Sequence, residues 1–137
     1  MEILKFVKIE QNSRLRLQRN ECRLHYKTGK ESNYSLTFNY HVANQIKEKN
    51  FMYVRFAENT ITGETFMVFQ ADKADESLRV RLYNGRNNFF ASLNGKAVME
   101  YIIRRLELDK DTCDNNIINI SENVSRNDDA LTYIISK

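Results

Sequence analysis

The chain has 137 residues, of which 42% are apolar and 28% are charged, and its formal net charge is +3. This length is typical of one domain that buries about two thirds of its unfolded surface, and the composition excludes wholesale disorder. No apolar run approaches the ~18 residues that cross a bilayer, and the first residues lack the pattern of a signal peptide. We therefore expect a single domain over residues 1–137, with no membrane partner and a cytoplasmic location.

Residues 1–33 are predicted to form a basic strand region. Apolar and polar residues alternate over Ile3–Ile9, Leu15–Leu17 and Cys22–Lys27, and this alternation is typical of half-buried strands. A polar turn follows, and Tyr34–Phe38 is predicted as another short strand because apolar and polar residues alternate there too.

The period of the apolar residues changes at Asn39, a residue type that commonly caps the N-terminus of a helix. Beyond it, Val42, Ala43 and Ile46 form a narrow apolar stripe at helical spacing. The sequence therefore predicts a first helix over residues 40–49.

Two hairpins are predicted in the middle of the chain. The first joins strands over Phe51–Phe56 and Thr65–Phe69. The second is indicated by Asn84-Gly85, because Asn-Gly between two alternating runs favours a tight type I′ turn. We therefore expect Leu78–Tyr83 to pair with Asn88–Leu93.

A second helix is predicted over residues 95–107. Val98, Ile102 and Leu106 recur at four-residue spacing, which is typical of the apolar face of an amphipathic helix. We therefore expect these three side chains to be buried in the core.

Two segments, 34–69 and 90–136, share the order strand, helix, strand, strand. The second segment ends in strands predicted over Asn116–Ser121 and Leu131–Ile135. The similarity has two interpretations: an internal duplication, or a common β-α-β-β unit that occurs twice by chance. Either way, the sequence predicts an α+β fold, with mainly antiparallel strands in a barrel-like arrangement, two helices and two β-α-β-β units in one compact domain.

This order of elements, over roughly residues 34–136, resembles the swapped-hairpin barrels of AbrB- and MraZ-type regulators. The resemblance implies that two units interleave into one β-barrel, as in the MraZ-type chains that carry both units, and that the protein binds DNA, as many members do. The Gly-Arg-x-x-x-Pro sequence that usually precedes the helix in that family is absent, and Phe38–His41 and Leu93–Lys96 stand in its place. No DNA-contact residue is therefore carried over from the family.

No pattern in the sequence predicts catalysis or metal binding. The four glycines form neither a GxxxxGK[ST] nor a GxGxxG motif. Cys22 and His25 are three residues apart on a predicted strand, so they point to opposite faces and cannot share a zinc ion. We therefore expect a protein that is not an enzyme, with no catalytic residue, no metal, no cofactor, and free thiols at Cys22 and Cys113.

The positive charge is concentrated at the N-terminus. Residues 1–30 carry eight basic and three acidic side chains, a net charge of +5, whereas the remaining 107 residues carry thirteen basic and fifteen acidic ones, a net charge of −2. Such an asymmetry is typical of proteins with a basic surface for nucleic acid, although a basic strand region that is merely solvated remains an alternative.

Four arginines occupy the polar side of predicted strands, and the planar guanidinium group suits a phosphate because it donates two parallel hydrogen bonds. We predict that they form a nucleic-acid-binding surface on the sheet, with Tyr26, Tyr34 or Tyr83 nearby. The predicted binding residues are Arg14, Arg16, Arg79 and Arg81.

Two functional hypotheses follow from these features. The first is a small nucleic-acid-binding or regulatory module whose partner is DNA or RNA. The alternative is a non-catalytic protein-interaction or structural module of a phage or mobile element, whose partner is another protein or a second copy of the chain. Retention on heparin that falls steeply with salt favours the first, and flow-through at low salt favours the second.

Overall fold

The computed structural model describes residues 3–6, 17–85, 89–123 and 129–137. In these ranges the chain forms two helices, α1 (Tyr40–Lys49) and α2 (Lys96–Arg105). It also forms nine strands: β1 (Glu21–Lys27), β2 (Asn33–Phe38), β3 (Tyr53–Glu58), β4 (Thr65–Gln70), β5 (Leu78–Arg79), β6 (Arg81–Asn84), β7 (Phe89–Asn94), β8 (Asn116–Asn123) and β9 (Ala130–Ser136).

The strands form one antiparallel sheet in the order β5-β3-β4-β9-β8-β1-β2-β7-β6. Strands β5 and β6 lie at opposite ends of this order, yet Val80 alone separates them in sequence. The two ends of the sheet therefore meet at Val80, and the sheet curls into a nearly closed barrel. This arrangement confirms the predicted α+β fold with mainly antiparallel, barrel-like strands and two helices.

The sequence predicts that Leu78–Tyr83 forms one strand with one partner, and this prediction is wrong. Leu78 and Arg79 pair with β3, whereas Arg81 to Asn84 pair with β7. Between them, the side chain of Val80 is fully buried and its N–H donates to the carbonyl oxygen of Met52 at 2.8 Å. We call this point, where the chain passes from one end of the sheet to the other, the seam.

The predicted tight turn at Asn84-Gly85 is wrong. Asn84 is the last residue of β6 and pairs with Phe89, so it lies in the ladder. An Asn that takes part in the ladder cannot also occupy the centre of a two-residue turn. The hairpin itself is confirmed for β6 and β7.

The core lies inside the barrel because apolar side chains alternate along each strand. In β1, for example, Cys22, Leu24 and Tyr26 point inward and are buried. Across the interior, the rings of Phe38 and Phe69 meet edge to face with centroids 5.4 Å apart. Strands from both halves of the chain therefore share one core.

The two helices cover opposite ends of the barrel. In α2, the Lys96 ammonium lies 5.6 Å from the centre of the Tyr34 ring at the beginning of β2. In α1, the Lys47 ammonium lies 5.4 Å from the Phe89 ring at the beginning of β7. Because β2 and β7 are antiparallel neighbours, their beginnings lie at opposite ends of the sheet.

The strand order is unchanged when the two units β2-α1-β3-β4 and β7-α2-β8-β9 exchange places around the barrel. The hairpin registers agree as well. A shift of 66 residues converts the pair Tyr53↔Gln70 of the first hairpin into Asn119↔Ser136 of the second. The two units therefore occupy equivalent positions, related by a pseudo-two-fold axis.

Two cross-strand pairs mark where this axis crosses the barrel wall. With the same shift, Met67 of β4 corresponds to Tyr133 of β9, and these two residues lie directly opposite each other. On the other side, Thr37 of β2 and Ser92 of β7 also pair, and here the shift between the corresponding residues is 55 (92 − 37). The fold thus has the symmetry that a duplication would produce, while a common origin of segments 34–69 and 90–136 stays a prediction.

The predicted basic strand region over residues 1–33 is described only in part. Ile3, Leu4 and Phe6 are exposed and lie outside any strand. Residues 7–9 of the predicted strand Ile3–Ile9 lie outside the described residues, and so do residues 15 and 16 of the predicted strand Leu15–Leu17. In this region the structure therefore confirms the strand predicted over Cys22–Lys27 as β1.

The predicted core face of the second helix is wrong by about one position. The structure buries Met99, Ile102 and Ile103, whereas Val98 and Leu106 are only partly buried. Leu106 is the C-cap residue and Glu107 turns the chain with φ of 54°, so the helix ends before Leu106 could pack as an interior residue. The first helix, in contrast, has the predicted bounds and the predicted buried residues.

Asn39 joins α1 to the segment that leads into β1. Its side-chain oxygen accepts a hydrogen bond from the N–H of Val42 at 2.9 Å, as an N-cap does. Its side-chain nitrogen lies 2.8–3.0 Å from three carbonyl oxygens, those of Gln18, Arg19 and Glu21. The buried amide therefore holds two parts of the fold together.

Replacing this amide by a carboxylate separates its two roles. Asn39→Asp keeps a good N-cap acceptor, but it places a buried negative charge against three carbonyl oxygens, so we expect a loss of at least about 2 kcal/mol in the free energy of unfolding. Asn94→Asp is the matched control, since Asn94 is exposed directly before Gly95, the N-cap residue of α2, and its side-chain oxygen accepts a hydrogen bond from Ser92. Urea denaturation should show a change within about 0.5 kcal/mol for the control; equal losses would contradict this role.

Ile46 and Ile102 are fully buried at corresponding places in the two helices. Truncation of either to Ala should lower the free energy of unfolding by about 2–5 kcal/mol, because it removes apolar contacts and leaves a cavity. Ile61→Ala makes the same chemical change at a side chain that is 94% exposed, and it should change stability by less than about 0.5 kcal/mol. Thermal or urea unfolding of the three variants measures the difference, and a mild effect at Ile102 would show that α2 is not packed as described.

Candidate nucleic-acid interface

The structure places two of the four predicted arginines on the outer surface at the seam. Val80 points inward, so Arg79 and Arg81 on either side of it point outward, and both are exposed. The Arg79 guanidinium lies 5.8 Å from the centre of the Tyr53 ring and donates to its hydroxyl at 3.4 Å. Arg14 and Arg16 lie outside the described residues, so their placement beside this pair stays a prediction.

The adjacent strands β1, β2, β7 and β6 form one wall of the barrel, and their register aligns four outward side chains. Arg23 lies opposite Thr37, Thr37 lies opposite Ser92, and Ser92 lies opposite Arg81. Since neighbouring strands are ~4.8 Å apart, the Cα atoms of the two arginines are separated by roughly 14 Å across the sheet. The row therefore has a guanidinium group at each end and short hydroxyl side chains at its centre.

We call the outer surface of this wall the polar face. Serine, threonine and asparagine form its floor, and the long side chains of Arg23, Lys27 and Arg81 stand at its two sides. Its outward-facing residues are Glu21, Arg23, His25, Lys27, Asn33, Ser35, Thr37, Arg81, Tyr83, Phe90, Ser92 and Asn94.

The floor of the polar face is low and internally hydrogen-bonded. The Ser35 hydroxyl donates to the Asn33 side-chain oxygen, and the Ser92 hydroxyl donates to the Asn94 side-chain oxygen, each at 2.8 Å. The serines are almost fully buried, whereas the two asparagines are exposed. Exposed amide N–H groups beside arginines are suitable donors for phosphate oxygens.

The charge of the polar face is positive. In the described part of the four strands, Glu21 is the one acidic residue that faces outward, and its carboxylate accepts a hydrogen bond from the backbone N–H of Gln18 at 2.8 Å. Arg23 is held in place because it donates to the Asn115 side-chain oxygen at 2.9 Å, which leaves most of its N–H groups available. A positively charged surface of this kind attracts negatively charged groups in general.

Sequence reasoning missed Arg23 and its relation to Arg81. The alternation of β1 already indicates that Arg23 faces outward, but the register that aligns it with Arg81 depends on three strand pairings. By the pseudo-two-fold relation the two arginines are equivalent. The pairs Glu21↔Asn119 and Arg79↔Tyr53 correspond in the same way, since Glu21 and Arg79 lie two residues before Arg23 and Arg81.

The opposite wall of the barrel has a different character. The outward side chains at the centre of β4 and β9 are Phe66, Val68, Thr132 and Ile134, which are uncharged and partly buried. Phe66 lies opposite Ile134, and Val68 lies opposite Thr132. The barrel thus has one polar, basic wall and one largely apolar wall.

Among the described residues, no group of three or more His, Cys, Asp and Glu side chains is placed to hold a metal ion. Cys22 and Cys113 are buried free thiols, as the sequence predicts, and burial raises the pKa of each thiol. In the part of the chain that the structure describes, neither helix is long and apolar enough to cross a membrane.

Comparisons with protein-family models, with curated proteins and with solved structures gave no match to the chain. The resemblance to AbrB- and MraZ-type barrels therefore stays a prediction from element order. The polar face and the sequence supply the observations on which a function can be proposed.

The pKa of His25, on the polar face, is lowered in the folded protein. Burial lowers the pKa of its ring below the ordinary value of 6.5; the nearby Asp114 carboxylate opposes this shift and the Arg23 guanidinium adds to it. Between the lowered pKa and 6.5, the unfolded chain binds more protons than the folded one. The stability that the neutral His25 ring contributes is therefore complete above this window and is lost as the pH falls through it.

We expect His25→Gln to remove part of the loss of stability on acidification, because glutamine does not titrate. The measurement is the free energy of unfolding in urea at about pH 8 and about pH 5 for both proteins. The difference at about pH 8 reports packing alone, since the His25 ring is then neutral in both states. If the free energies of unfolding of the two proteins differ by the same amount at both pH values, the pKa of His25 is not lowered.

Proposed function

We propose that the protein is a small nucleic-acid-binding module that acts through the polar face and has a regulatory role. The observation that carries this proposal is the aligned row Arg23, Thr37, Ser92 and Arg81, in which two arginines flank a floor of hydroxyl and amide groups. Guanidinium, hydroxyl and amide groups are the side-chain donors that commonly contact phosphate and sugar.

The charge distribution supports the same proposal. Lys27 lies on the Arg23 side of the polar face and Arg79 extends the Arg81 side across the seam. Contacts of this kind fix a nucleic acid by its backbone and read little sequence, so the proposed binding is strongly salt-dependent and weakly sequence-specific. Arg14 and Arg16 remain proposed further contacts.

The apolar wall favours the second candidate function, a protein-interaction or structural module without a nucleic-acid role. Its outward residues Phe66, Val68 and Ile134 are the type of side chain that a protein partner buries. The two candidates use opposite walls of the barrel, so substitutions on the polar face distinguish them.

The double variant Arg23→Ala/Arg81→Ala should weaken binding to nucleic acid by about tenfold or more for each lost phosphate contact. The slope of log affinity against log salt should become shallower by about 1.8 on duplex DNA, or by about 1.4 on a single strand. The reason is that the variant neutralises two phosphates fewer, so its binding releases fewer counterions. Fluorescence anisotropy at several salt concentrations, with oligonucleotides of different sequence, measures both effects.

Arg104→Ala is the matched control, since Arg104 is an exposed arginine on α2, away from the polar face. It removes one positive charge, as each of the two substitutions on the polar face does, and it should leave the salt dependence close to that of the unmodified protein. All variants should keep their fold, because exposed side chains contribute little to stability. If the protein binds no DNA or RNA at low salt, the proposal is wrong and the protein-interaction function takes its place.

A further inference from the structure

We infer that the ligand of the polar face is a single-stranded nucleic acid, and that Tyr83 provides the surface on which one of its bases stacks. This inference rests on the proposed function and specifies its substrate class. It depends on the arrangement of aromatic and basic side chains beside the seam.

Tyr83 has one ring face occupied and one available. It lies opposite Phe90 in the β6–β7 ladder, and the two rings stack with centroids 4.9 Å apart and an angle of 16° between their planes. The Tyr83 side chain is nevertheless 39% exposed. Because β6 is at the end of the strand order and Phe90 lies on its β7 side, the other face of the Tyr83 ring is turned away from the hairpin, toward the seam.

Two basic side chains precede Tyr83 in the same segment of the chain. Arg79, Arg81 and Tyr83 alternate with inward residues, so they project from the outer surface at intervals of ~6.8 Å. Arg79 itself rests on the ring of Tyr53, its cross-strand neighbour. The segment therefore combines phosphate-binding cations with an aromatic surface, which is the combination that binds single strands with little sequence preference.

A duplex fits this surface less well. Its bases are stacked on each other and expose only their edges in the grooves, so a Tyr83 ring that lies against Phe90 has no base face to contact. Reading the major groove also requires a protruding helix or β-ribbon. Here α1 and α2 cover the ends of the barrel, and the described part of the polar face is the side of a sheet.

The aromatic pair distinguishes the two halves of the polar face. By the pseudo-two-fold relation, Tyr83 corresponds to His25 and Phe90 corresponds to Ser35, which themselves pair across β1 and β2. Base stacking is therefore expected at the Arg81 side of the face, and backbone contacts predominate at the Arg23 side. A nucleic-acid strand that crosses the face therefore makes different contacts at its two sides.

The test compares binding to a labelled single-stranded oligonucleotide of about 12 nucleotides with binding to its duplex. We expect the single strand to bind more tightly, and Tyr83→Ala to weaken its binding by about 5- to 150-fold, which is the effect of one lost base–aromatic stack. Duplex binding should change by less than about twofold. Tyr83→Phe and Tyr83→Trp should retain the affinity, whereas Tyr83→Leu, which still packs on Phe90, should lose it as Ala does.

Tyr40→Ala is the matched control, because Tyr40 is 65% exposed on α1, where it contacts Phe89 edge to face. It should leave both affinities unchanged. If Tyr83→Ala has no effect on single-strand binding while Arg81→Ala weakens it, base stacking at Tyr83 is wrong and the proposed function stands. Tighter binding to the duplex also overturns the inference. If the unmodified protein binds neither ligand at low salt, the proposed function fails as well.

Discussion

The position of Val80 is the constraint on which the rest of the structure depends. A single residue connects the first and last strands of the sheet, so the sheet closes whatever the details of its other loops. Closure gives the barrel an interior, and the alternating apolar residues of each strand then have a shared core to enter. It also gives β3 and β7 a partner strand each from the same segment, since β5 pairs with β3 and β6 pairs with β7. The inward side chain of Val80 makes this connection part of the core itself.

Closure around a pseudo-two-fold axis determines which residues become neighbours. The axis passes between Thr37 and Ser92, so equivalent residues on β1 and β6 flank it on one wall of the barrel. At some equivalent positions the two halves have the same residue, as at Arg23 and Arg81. Elsewhere the halves differ: Asn39 is buried and ties α1 to the chain before β1, whereas Asn94 is exposed. The pseudo-two-fold symmetry therefore places an arginine on each side of the polar face, and the positions that differ make the two halves of the molecule unlike.

The two walls of the barrel explain why two functions are compatible with one fold. Both walls have the same strand geometry, but one carries arginine, serine and asparagine where the other carries phenylalanine, valine and isoleucine. Interactions between charges act over about a Debye length, whereas apolar surfaces interact only on contact. This difference is the reason that nucleic-acid binding is proposed before protein interaction. A protein partner on the apolar wall would not compete with it, because the walls face in opposite directions.

Local periodicity is determined by residues a few positions apart, so the sequence by itself determined the helix over residues 40–49, the strands around it and the outward direction of Arg79 and Arg81. Beyond the two hairpins β3–β4 and β6–β7, the tertiary structure alone decided which strands pair, because register depends on core contacts between residues far apart in the chain. It separated Leu78 and Arg79 from the hairpin that follows them, and it rotated the buried face of α2 to Met99, Ile102 and Ile103. It also aligned Arg23 with Arg81, 58 residues later, through three ladders whose registers no local pattern contains.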